Sequence, residues 1–85
     1  MSGGTFDYKQ HFIEDIADSV ETFLRSESST NYPSNVLAEI EHGLTVIRKA
    51  AVYAQRIDWL LAGDDGPKQF LSRLENELEE LRRAR

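Results

Sequence analysis

Apolar residues recur along this chain at steps of three and four, the spacing of one helical face. In the first third, Phe12, Ile13, Ile16, Val20, Phe23 and Leu24 follow that rule. In the middle, Leu37, Ile40, Leu44, Ile47, Ala51, Ala54 and Leu61 form a near-heptad seam. A second seam on the same segment, Val46, Tyr53 and Leu60, is spaced by sevens. Val52 and Trp59 extend the apolar surface to a third side. In the last third, Phe70, Leu71, Leu74, Leu78 and Leu81 make one stripe between Glu and Arg. No stretch sustains the strict alternation of a half-buried strand.

Two breaks divide these segments. Ser26–Pro33 is a polar run closed by proline, and Gly63-Asp64-Asp65-Gly66-Pro67 packs two glycines and a proline around two acids. The pattern predicts helices over about 6–25, 34–62 and 67–83 in a single all-α domain. The expected architecture is a three-helix bundle or helical hairpin with a long central helix. Thr5 is the expected N-cap of the first helix. Pro33 suits the first turn of the second, where a missing N–H costs nothing. Gly63 suits a left-handed stop after the second helix, and Asp65 or Gly66 is expected to cap the third.

With 85 residues, the chain has room for only a thin core, and small chains often complete their burial with a partner. The central helix is apolar on more than one side, which predicts a symmetric homodimer. Val46, Tyr53, Trp59 and Leu60 are the candidate interface residues.

The absence of cysteine excludes disulfides and thiolate metal sites. No apolar run approaches the roughly 20 residues that cross a bilayer. The first residues lack the basic and apolar regions of a secretory signal. The expectation is a cytoplasmic protein with no membrane role. A net charge of −5 argues against capture of nucleic acid. That charge is uneven: residues 5–31 carry six acids and two bases, and residues 32–63 carry three of each. Glu14, Asp18 and Glu21 form an acidic stripe on the first helix, either a solvated face or a surface for a basic partner.

Candidate chemistry is sparse. Gly-Asp-Asp-Gly-Pro lacks the alternating oxygens of a calcium loop and the donors of a phosphate loop. Glu39 and His42 have the Glu-x-x-His spacing of di-metal bundles, but lie off the main seam. His42-Gly43-Leu44-Thr45-Val46 invites comparison with histidine phosphotransfer domains, yet Thr45 and Val46 stand where those carry lysine and glycine. The size and three-helix pattern resemble the all-helical chorismate mutases. That resemblance implies inward cations for a dianion, with Arg25, Arg48, Lys49 and Arg56 on offer. The seams instead place Arg48, Lys49 and Arg56 toward solvent. Asp58, on the seam of Leu44, Ile47, Ala51 and Ala54, needs a partner or a rim position.

These readings converge on a small non-enzymatic interaction or adaptor protein with no cofactor and no metal. It would partner itself and another protein. An acidic inhibitor imitating nucleic acid and a small helical enzyme or metal protein are the alternatives.

Overall fold

The computed structural model describes Phe6 and residues 8–83. Among them the chain is all-helical: α1 (Gln10–Arg25), a 3-10 turn (Glu27–Asn31), α2 (Ser34–Ala62) and α3 (Pro67–Arg83). No described helix is long and apolar enough to cross a membrane.

The start of α1 departs from the sequence expectation. The helix begins at Gln10 rather than near residue 6. Tyr8 has φ of 65°, a left-handed geometry that a helix cannot propagate through. The Lys9 N–H instead donates to the Phe6 carbonyl at 3.0 Å. Thr5, the expected cap, lies outside the described residues. At its other end α1 stops where Ser26 turns extended and donates through both backbone N–H and hydroxyl to the Phe23 carbonyl. Tyr32 then folds back edge-on against Phe23, ring centres 5.6 Å apart.

Pro33 is the residue just before α2. Its extended backbone presents its carbonyl to the N–H groups of Val36 and Leu37. The 29 residues of α2 give it a length of roughly 43 Å. Gly63 ends it at φ 91°, the left-handed stop that the glycine was expected to supply. The Gly63 N–H bonds the Leu60 carbonyl and the Asp64 N–H bonds the Trp59 carbonyl, so two orphan carbonyls are satisfied in one turn.

The cap of α3 is not Asp65. Gly66 precedes Pro67, and its N–H donates to the Gln69 side-chain oxygen at 3.1 Å. This is the reach-back half of a capping box, made by a glutamine at the third helical position.

Both α1 and α3 pack along α2 and barely touch each other. The bundle is therefore open, measuring 46 × 26 × 14 Å. Its core is correspondingly thin. Among the described residues, Ala17 and Ala51 are the buried apolar side chains, and no large side chain is fully buried. Several buried residues are instead polar: Gln10, Ser29, Arg56, Asp58 and Asp65.

Candidate functional site

Two surfaces of α2 remain after α1 and α3 have packed on it, and they differ in chemistry. The first is a groove between the flanking helices, apolar along much of its lining and crossed by charged side chains. One part, about 420 Å³, is lined by Glu21, Leu24, Leu44, Thr45, Arg48 and Leu81. A second part shares Arg48 and Leu81 and runs on to Gln55, Arg56, Trp59 and Glu77.

Arg48 rises from α2 and clasps α1. One of its nitrogens lies 3.0 Å from Asp18 and another 2.5 Å from Glu21. Burial works against its charge, but the hydrogen bonds it donates to Asp18 and Glu21 outweigh it and hold the guanidinium above its ordinary pKa. Glu21 also pairs with Arg25 at 2.9 Å, and Glu14 lies 3.9 Å from exposed His11. The stripe expected as an acidic face is thus partly spent on an inter-helix clasp.

Arg56 corrects the expectation of a solvent-facing side chain. It is 3% exposed, with its guanidinium carbon 4.2 Å from the centre of the Trp59 ring, a cation–π geometry. Its partner is Asp65, whose side chain is wholly buried, at 3.3 Å. Arg73 from α3 completes the node at 2.6 Å from the other Asp65 oxygen. Glu77 stands 3.6 Å from the Arg56 Nε, which has no hydrogen-bond partner within range. So Asp65 fastens the α2–α3 hinge by charge, not by capping. Sequence spacing could not reveal this, because Arg56 lies nine residues before Asp65 and the link depends on the Gly63 turn.

Asp58 finds partners at the opposite flank of α2. It accepts from the Phe6 backbone N–H at 2.8 Å and from the Gln10 amide at 3.3 Å. The partner that its place on the seam requires is thus a backbone N–H and a glutamine amide. Asp58 therefore secures the turn that leads into α1.

The cations named for a dianion are dispersed. Arg25, Arg48 and Arg56 each carry a carboxylate partner. Glu39 and His42 are both exposed, and among the described residues no group of three His, Asp or Glu side chains is placed to hold a metal ion. At the α3 end, Arg82 and Arg83 both pair with Glu79.

The second surface lies on the reverse of α2. Gly43, Val46, Ala50, Tyr53, Ile57 and Leu60 follow one another by three and four residues. At 3.6 residues per turn they share an arc of about 100°. The α1-facing seam, which includes Leu44, Ala51 and Asp58, lies on a different arc. Val46 and Tyr53 are exposed, Tyr53 at 44%. Trp59 and Leu60 are half-buried. Of the four candidate interface residues, Trp59 therefore leaves this face and belongs to the groove, under Arg56. Val46, Tyr53 and Leu60 stay together on the reverse side.

Other large apolar residues are also exposed. Phe12 and Ile16 on α1 are 65% and 54% exposed, and Leu61 and Leu71 are exposed to a similar degree. Gly43 is the odd member of the seam. A Cβ built there would meet nothing within 4 Å. A glycine inside a helix costs about 1 kcal/mol relative to alanine, and none of the described residues lies within 4 Å of where its side chain would begin.

No protein-family model, curated protein or solved structure matches this chain.

Proposed function

We propose that this chain is a small interaction protein, not an enzyme, and that it works as a homodimer joined through the reverse face of α2. The observation that carries the reading is the pairing of a missing core with large apolar side chains left exposed. No large side chain is fully buried among the described residues, while Phe12, Ile16, Val46, Tyr53, Leu61 and Leu71 stand in water. An open set of helices stacked on a second copy gains the missing apolar layer.

The groove between α1 and α3, on the opposite side, is left free in such a dimer. Its arginines are already neutralised, so it suits a protein partner better than a polyanion, which the net charge of −5 also repels. Tyr53→Glu tests the assembly. The substituted chain should keep its helical circular dichroism and lose the dimer mass in light scattering. A dimer of unchanged affinity in Tyr53→Glu would remove the α2 face from the interface.

A further inference from the structure

The two flanks of α2 are fastened differently. α1 contributes two buried residues, Gln10 and Ala17, whereas α3 contributes none. The contact of α3 with α2 is the smaller of the two, and α3 barely meets α1. Few buried contacts mark the part of a fold that opens first. What is buried at this flank sits at the root of α3, where Asp65 bonds Arg56 across the turn at 3.3 Å.

That root can open without stranding a polar group. Asp65 is held by Arg56 from α2 and by Arg73 from α3, the latter at 2.6 Å. A swing of α3 about Asp64 carries Asp65 and Arg73 away together, so the carboxylate keeps a cation. Glu77, 3.6 Å from the Arg56 Nε, leaves with them. Arg56 stays over the Trp59 ring and regains water. The Trp59 carbonyl accepts from both Asp64 at 2.9 Å and Asp65 at 3.2 Å, so it keeps one donor when the other departs. The buried, uncompensated charge that makes breaking an ion pair costly therefore never forms.

We propose that α3 is a hinged lid on α2, pivoting at Asp64 and latched shut by the Arg56–Asp65 pair, while α1 stays packed on α2. Open, the lid uncovers the strip of Val52, Arg56 and Trp59 that now lines a groove with Glu77 and Leu81. Opening is a property of one chain and does not require the dimer proposed above.

Hydrogen exchange at fixed protein concentration and low urea, read by mass spectrometry on peptides from each helix, separates a lid from a single cooperative unit. In the wild-type chain the α3 amides should exchange at least about tenfold faster than the central amides of α1 and α2. In Asp65→Ala, α3 exchange should accelerate by roughly another tenfold and α1 exchange by less than about twofold. Acrylamide quenching of Trp59, the chain's one tryptophan, should rise in the same variant. Arg48→Ala, which removes the α1 clasp, should speed α1 and leave α3 unchanged. Equal protection of the three helices in the wild-type chain would overturn the lid. Equal acceleration of α1 and α3 in Asp65→Ala, or loss of all helical circular dichroism in that variant, would overturn the latch.

Discussion

Removing the Asp65 carboxylate should destabilise the fold far more than losing a helix cap. The Asp65 side chain is fully buried, and its oxygens meet Arg56 at 3.3 Å and Arg73 at 2.6 Å. In Asp65→Ala, Arg56 keeps its buried position but is left with Glu77 at 3.6 Å and the Trp59 face. Breaking one side of a buried pair costs about 3–5 kcal/mol, because a buried charge is left uncompensated. Losing a cap would cost about 0.5–2 kcal/mol. For a chain of this length 1 kcal/mol moves the melting temperature by about 4–8 °C, so the expected fall is about 12 °C or more. Thermal and urea unfolding followed by circular dichroism at fixed protein concentration measure it. Arg73→Ala should cost under about 1 kcal/mol, since that side chain is half exposed and solvent screens its charge. Arg56→Met combined with Asp65→Leu should recover much of the loss, as replacing both charges removes the orphan. The reasoning fails if Asp65→Ala costs no more than about 2 kcal/mol and the cost is the same in an Arg56→Met background, because the two residues would then be uncoupled.

Other outcomes follow from the remaining polar contacts. Asp58→Ala should cost about 1–3 kcal/mol by leaving the buried Gln10 amide short of an acceptor, and hydrogen exchange should speed up first at Phe6 and Gln10; unchanged exchange there would separate Asp58 from the α1 entry. Arg48→Ala should cost no more than about 1 kcal/mol because Asp18 is largely exposed, and the deficit should shrink as salt rises; a loss as large as that of Asp65→Ala would mean that the clasp carries the α1–α2 contact. Gln69→Ala should cost a few tenths to about 1 kcal/mol through the lost bond to the Gly66 N–H; no change would show that α3 starts without it.

The helices were readable in the sequence because their apolar spacing is regular and their stops are chemical. Gly63 stops α2 for the reason its position suggested, and Pro67 opens α3. The start of α1 was not readable, because it depends on Asp58, more than fifty residues away in sequence, and on the left-handed Tyr8. Arg56 was misplaced because a helical wheel treats every arginine as a solvent residue. Burial of this one is settled by Asp65 and Trp59 together. Of Asp65 and Gly66, the two caps that position relative to Pro67 offers, Gly66 takes the place, because that position is local information whereas the partners of Asp65 arrive through the tertiary fold. That Val46, Tyr53 and Leu60 share a face is legible from period alone, since a heptad seam shows whether or not anything covers it. Trp59 was grouped with them on hydrophobicity, and its indole instead lies beneath a guanidinium.

Sedimentation equilibrium of the wild-type chain, from nanomolar to tens of micromolar, tests the central claim most directly. The expected result is a reversible transition from the 9.7 kDa chain mass to twice that value, with a melting temperature that rises with concentration. A single 9.7 kDa species across the whole range, with a concentration-independent melt, would contradict it.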